Sequence, residues 1–239
     1  MSIILRVNYG DESIALIQAF YQNPAWHSQF KKVKVVYVET GWAAAHWPLR
    51  VRQGESFAIN CGFEVIHLYS KEDFAQLAIE RKDFPSQKFQ WCAGFLKGLP
   101  LIEWLDSNDP AGEWLIALPK RQSLYRKVIL EKIPECEFHG DRQVWHPLLN
   151  YTDEDRDKLV IAAGFNPIGR RSLECEPCVN STGSEHASMH ELDKLKLHSL
   201  ELKIGKKLKP IPLNQTSQSQ QPQMQSFSMG CGDPFGCGL

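Results

Sequence analysis

The sequence predicts an α/β fold on a mostly parallel sheet, and three observations carry that prediction. Apolar runs suited to strands alternate with segments of helical periodicity along the first 120 residues, the order that gives a parallel sheet covered on both faces. One of those runs, Lys34–Glu39 (KVVYVE), is continuously apolar and β-branched in its middle, as expected of a strand buried on both sides. Turn residues stand where the runs stop, as at Gly10 and at Thr40-Gly41.

The elements follow in order. Residues 3–8 (IILRVN) are the first strand and end in a polar turn. Residues 12–22 (ESIALIQAFYQ) space Ile14, Leu16, Ile17 and Phe20 on a broad helical face. After the strand 34–39, residues 46–61 read as helix and 63–69 (FEVIHLY) as strand. Residues 72–82 are helical, and 91–106 form a helical segment that contains Cys92 and Lys97. Residues 113–119 (EWLIALP) are a further strand, and 142–149 lead into an acidic turn. Thr152 is a helix N-cap, with Asp155 three residues on and Leu159, Val160 and Ala163 behind it; Gly164 ends that helix. Residues 187–205 read as a polar amphipathic helix through Leu192, Leu195, Leu197, Leu200 and Leu202.

The domain is thus expected over 1–205. Residues 206–230 are rich in Gln, Ser and Pro and bury too little to offset chain entropy, so they read as a flexible tether. At about 3.3 Å per residue it spans ~80 Å, enough to bring the Cys/Gly-rich tail 231–239 to any site on the domain.

The chain has 239 residues, 43% hydrophobic, with a net charge of −1. That supplies one full core, and nothing global demands nucleic acid or a membrane. The lysines at 31, 32 and 34 and at 203, 206, 207 and 209 read as solvated faces. No segment approaches ~18 consecutive apolar residues, and the N-terminus lacks the pattern of a signal peptide. A cytoplasmic location is expected. Seven cysteines in a reducing compartment point to metal binding or catalysis rather than to a disulfide scaffold.

Each candidate site has two readings. The turn Asn8–Ser13 (NYGDES) lies between strand and helix, where phosphates bind backbone N–H groups. Its acids would repel a polyphosphate, and an ordinary turn whose Asp11 and Glu12 favour the helix dipole is the other reading. Thr40 and Trp42, in ETGW at the sheet's carboxyl edge, are placed to hold a base or ribose, or simply make a turn. Cys175 and Cys178 have the CxxC spacing that chelates one metal or cluster. Cys92 is a candidate third thiolate, and Cys231 or Cys237 a fourth; a redox dithiol competes. The glycine-flanked tail cysteines suit a swinging nucleophile, a last metal ligand or an incidental end. Arg121, Ser123 and Arg126, and Arg170 with Arg171, are placed to hold phosphate or sulfate, or to form solvated basic segments. His146 and His190 read as structural or surface residues, and Cys61 and Cys136 as core or incidental.

Several stretches together resemble the phosphoadenosine-phosphosulfate (PAPS) reductase family, in the adenine nucleotide α-hydrolase-like (PP-loop) superfamily. NYGDES stands at the pyrophosphate loop, VVYVETGW at the next strand, and FQWCAGFLKGLPL at a Cys segment with a Lys five residues on. RQVWHPLLNYTDEDRDKLVIAAGFNP and RRSLECEPCVNS match the later stretches. The resemblance implies a five- or six-stranded mostly parallel sheet flanked by helices. It implies a C-terminal catalytic cysteine, here Cys237, that attacks the sulfur of adenylyl sulfate or PAPS, with a thioredoxin-like reductant releasing sulfite. Asn8, Gly10, Ser13, Thr40, Ser123, Arg126, Arg170 and Arg171 would bind the nucleotide. Cys92, Cys175, Cys178 and Cys231 would hold a [4Fe–4S] cluster, or zinc as the alternative. Relatives in nucleic-acid thiolation and phosphorothioation share the frame, and nucleic acid is a partner only in that reading. A non-catalytic nucleotide-binding module is a third reading. The chain departs from the family at Tyr9 and Asp11 in the loop, at Pro119 and Gln122, and in a tail that lacks the family's Glu and His.

Overall fold

A computed structural model describes residues 1–86, 88–121 and 128–209. Its frame is β1 (Ile3–Val7), α1 (Asp11–Gln22), α2 (Pro24–His27), β2 (Val33–Glu39), α3 (Trp47–Asn60), β3 (Glu64–Tyr69), α4 (Phe74–Arg81) and α5 (Trp91–Ala93). A π-turn (Gly94–Gly98) then leads into α6 (Leu99–Asn108), β4 (Leu115–Ala117), β5 (Lys132–Cys136), β6 (Arg142–Trp145), α7 (Asp153–Ala162), α8 (Gly183–Ala187) and α9 (Glu191–Ile204). The six strands lie in the order β3-β2-β1-β4-β6-β5. Each pair is parallel except β5 with β6. The α/β class and the mostly parallel six-stranded sheet agree with the sequence reading.

Alternation along the strands divides the core in two. Ile3, Leu5 and Val7 of β1 face α1, α3 and α7, against Ile14, Ile17, Phe20, Val51 and Val160. Ile4 faces the other way, with Val36 and Val38 of β2 and Leu101 and Leu105 of α6. Each such buried side chain contributes about 1.5–3 kcal/mol. A third cluster joins Trp42, Phe74, Leu77, Trp91, Leu96, Leu200 and Leu208. It packs α4, the segment 91–98 and α9 together beside the sheet.

β2 and β3 lie on one side of β1 and β4 on the other. The connections therefore part at the carboxyl ends of β1 and β4, the crevice where open α/β sheets take ligands. Asn8 follows β1 there.

Two elements differ from expectation. β5 has no strong strand signal in sequence because Pro134 interrupts it, yet it is an antiparallel edge strand with an irregular register between Ile133 and Cys136, where proline is tolerated. The leucine face predicted for 187–205 is mostly outward. Leu200 is buried, while Leu192, Leu195 and Leu202 are exposed. The predicted Thr152 cap is present: its hydroxyl accepts from the Asp155 amide, and the Asp155 carboxylate accepts from the Thr152 amide. No helix among the described residues is long and apolar enough to cross a membrane.

Candidate functional site

The Asn8–Ser13 loop spends its polar groups on itself. The Gly10 amide donates to Asn8 Oδ1 at 2.9 Å, and the Ser13 hydroxyl donates to the same oxygen at 2.8 Å while accepting from the Asn8 amide. Asn8 Nδ2 donates across to Ser172 Oγ at 2.9 Å and to Glu174 Oε1 at 3.3 Å. Tyr9 adopts a left-handed φ of 60°, a strained conformation for a bulky residue, and its ring is buried against α3. Gly54 makes that possible: a Cβ there would lie 2.2 Å from Tyr9 Cδ1.

The two acids of the loop fold inward. Asp11 accepts from the Ile168 and Gly169 amides at 2.7 and 3.0 Å and from Arg50 at 3.1 Å. Burial pushes its carboxyl above the ordinary range, against those hydrogen bonds and the Arg50 charge. Glu12 pairs with the fully buried Arg121 at 2.8 Å and with Arg156 at 3.1 Å, and Arg121 also binds Asp153. Arg121, a candidate anion ligand from sequence, thus already holds two carboxylates. These pairs tie the start of α1 to α3, to α7 and to the chain after β4.

The CxxC loop is anchored by its backbone. The Thr40 hydroxyl donates to the Glu174 carbonyl at 3.0 Å and lies 3.6 Å from Cys175 Sγ. The Glu176 amide donates to the Trp42 carbonyl, and Trp42 Nε1 donates to the Pro177 carbonyl at 3.1 Å. The Cys178 amide donates to Ser181 Oγ. Trp42 stacks on Phe74 and Phe74 on Trp91. Thr40 and Trp42, expected to face a base or ribose, here hold the cysteine loop against the end of β2.

Cys92 and Lys97 reach the same place through the π-turn. In an α-helix residues five apart point about 140° from each other. In a π-turn, bonded i to i+5, they stand about one turn apart. Cys92, Lys97, Ser172, Glu174, Cys175 and Cys178 line one pocket. Lys97 Nζ lies 2.5 Å from Glu174 Oε1, both side chains buried. Burial pushes the Cys175 thiol up to about 12, and the Lys97 charge works against that rise. Cys178 Sγ accepts from the Asn180 amide at 3.4 Å.

Arg171 also lines the pocket. Its guanidinium binds Glu185 at 3.1 Å and Ser181, with Glu176 at 3.6 Å. Arg170 is exposed. Cys61 is partly buried and unpaired. Cys136 is buried in the second core. Ser123, Arg126, Cys231 and Cys237 lie outside the described residues, as do the tail and nearly all of the tether. The sequence reading missed Lys97 and Glu174 as a buried pair; the Lys five residues after Cys92 was the signal for the first.

The three predicted thiols of the described chain are thus brought to one pocket, joined to the Asn8 loop through Ser172 and Glu174. Among the described residues no three His, Cys, Asp or Glu side chains close on a single metal ion. Zinc binds thiolates at about 2.3 Å, so this donor set does not fit one zinc ion as placed.

No family model matches the chain, and no curated protein matches it. Solved structures do. The U34-tRNA thiolase NcsA from Methanococcus maripaludis, with its [4Fe–4S] cluster, superposes with a TM-score of 0.51 at 12% identity, over 85% of this chain and 67% of that one. The chain shares the fold of that structure. Phosphoadenylyl-sulfate (PAPS) reductase from Candida auris, in a phosphate complex, matches with a TM-score of 0.46 at 12% identity, over 72% of this chain and 79% of that one. Within this fold the segment 8–13 occupies the turn after β1, and the cysteine pocket flanks it.

Proposed function

We propose that the chain is a sulfonucleotide reductase of the PAPS reductase type that carries an iron–sulfur cluster on Cys92, Cys175 and Cys178. The observation behind this reading is the pocket itself: three thiols from two distant segments and a buried lysine meet beside the turn after β1. Cys231 is the proposed fourth ligand. Cys92, Cys175 and Cys178 would hold the cluster, which would sit beside the substrate's anionic sulfur group. Lys97 would orient that group, since its ammonium is the buried cation of the pocket. Cys237 would be the nucleophile. Its thiolate forms a bond to the substrate sulfur, the sulfur–oxygen bond to the nucleotide breaks, and AMP or adenosine bisphosphate leaves with the electron pair. A thioredoxin-like dithiol then attacks Cys237 Sγ and releases sulfite, becoming a disulfide. Asn8, Gly10, Ser13, Ser123, Arg126, Arg170 and Arg171 are the proposed nucleotide contacts, with Thr40 holding the cysteine loop beside them. For Asn8, Gly10 and Ser13 this requires the loop to exchange its internal bonds for bonds to the ligand.

One observation favours a second reading, nucleic-acid thiolation. Only three thiols of the described residues line the pocket, and a cluster so held keeps one iron open to bind a sulfur atom. The absence of net positive charge weighs against it.

Anaerobic reconstitution tests the cluster: about four irons and four sulfides per chain are expected, lost in Cys92→Ser, Cys175→Ser or Cys178→Ser. Sulfite release from adenylyl sulfate and from PAPS with thioredoxin tests the activity. Cys237→Ser should abolish it and keep the iron. Sulfite release at the wild-type rate by that variant would remove the nucleophile assignment. ATP consumption with bound tRNA would move the function to thiolation.

A further inference from the structure

Asn8 divides its side chain between two places. Its carbonyl oxygen lies in the turn after β1, where it accepts from the Gly10 amide at 2.9 Å and from the Ser13 hydroxyl at 2.8 Å. Its amide nitrogen reaches the wall of the cysteine pocket, where it donates to Ser172 Oγ at 2.9 Å and to Glu174 Oε1 at 3.3 Å. The same oxygen of Glu174 accepts from Lys97 Nζ at 2.5 Å. The backbone of the turn lies close to this wall as well: a Cβ at Gly10 would stand 3.0 Å from Ser172 Cβ and 3.1 Å from Asn8 Oδ1.

The carboxamide of asparagine is one planar unit with its acceptor at one end and its donors at the other, so the two ends move together. A ligand that takes the Gly10 and Ser13 donors must displace Asn8 Oδ1, and it must be an acceptor, as a phosphate at a helix N-terminus is. Displacing Oδ1 turns the carboxamide and carries Nδ2 away from Ser172 and Glu174. Ser172 is 7% exposed and Glu174 5%, so the lost donor is felt inside the pocket, where an unmade hydrogen bond is costly.

We propose that Asn8 is a latch between the turn and the cysteine pocket: its carboxamide holds the turn closed, and a nucleotide phosphate entering the turn releases Ser172 and Glu174 on the pocket side. The latch rests on the nucleotide reading of the turn proposed above, and it gives that site a means of regulation. Once released, Nδ2 is the donor that Asn8 gives to the phosphate. Coupling between two places is reciprocal, so whatever weakens the pocket's hold on Nδ2 makes the turn easier to open. The bond to Ser172 therefore opposes nucleotide binding.

Two measurements on the full chain test the latch. The first needs no ligand. It is a double-mutant cycle of Ser13→Ala and Ser172→Ala followed by urea unfolding, since the two serines hold opposite ends of one carboxamide. Their effects on the unfolding constant are expected to depart from additivity by about twofold or more, and to become additive once Asn8→Ala is added. Additive effects with Asn8 in place would overturn the latch, and so would a departure that survives Asn8→Ala. The second is AMP binding by calorimetry. Ser172→Ala is expected to bind AMP about fivefold more tightly than the wild-type chain, the release of one neutral hydrogen bond; a residue that merely shapes the pocket would leave binding unchanged or weaken it. Unchanged or weaker binding by the folded Ser172→Ala chain would overturn the latch. Failure of both chains to bind AMP is a different result: it removes the nucleotide reading of the turn, and the double-mutant cycle still decides the latch.

Discussion

The turn after β1 and the cysteine loop at the end of β2 sit at one sheet edge and treat their side chains in opposite ways. Residues 8–13 satisfy their amides and hydroxyls with one another, and arginines hold their acids. Residues 174–178 are fixed through backbone carbonyls and amides by Thr40 and Trp42. That leaves Cys175, Cys178 and the Glu174 carboxylate turned to the pocket. A loop held by its backbone can offer its side chains, whereas a loop held by its side chains offers little until those bonds are exchanged. The side chains free to face a pocket therefore lie on the cysteine side of the crevice.

The sharpest break of that contrast is Lys97→Ala. It leaves Glu174 buried without its cation, and losing one partner of a buried pair costs about 3–5 kcal/mol; urea unfolding measures it. A loss as small as that of a surface pair would show that the pocket is not built around this charge. Next is the reactivity of Cys175 in metal-free protein. With its thiol pushed up to about 12, the thiolate fraction at pH 8 is about a thousandfold below that of an ordinary cysteine. Alkylation followed by peptide mass spectrometry should rise about tenfold per pH unit between 7 and 10, because the thiolate fraction grows as pH approaches a raised pKa.

On the other side of the comparison, Gly54→Ala drives a Cβ into the Tyr9 ring and should cost about 1–3 kcal/mol. In a double-mutant cycle with Tyr9→Ala most of that cost should vanish, since the clash has one partner. The smallest effect is Thr40→Val, which removes the hydroxyl bond to the Glu174 carbonyl and should cost about 1 kcal/mol. It should also lower iron uptake more than stability, because it loosens the loop that carries two of the proposed ligands. Equal iron uptake would place the anchoring on Trp42 alone.

Much of the frame was legible in sequence. The Thr152–Asp155 cap and the Gly164 stop are local, set by residues three or fewer turns apart. β5 was not legible, because Pro134 masks a strand that exists only as an edge partner of β6. Among the candidate residues, Cys92, Cys175 and Cys178 were readable from spacing and resemblance. The fate of Asp11 and Glu12 was not: their partners Arg50, Arg121 and Arg156 lie far along the chain, and no local pattern names them.

The sequence by itself determined that strands and helices alternate, since periodicity of apolar side chains is a local property of the chain. It also determined which residue types were available for sulfur chemistry. Only the tertiary structure decided that Cys92 and Lys97 face the same pocket, through a π-turn that no residue pattern announces, and that the loop after β1 turns its acids inward. Both depend on contacts between segments distant in sequence, where packing and charge pairing outweigh local preference.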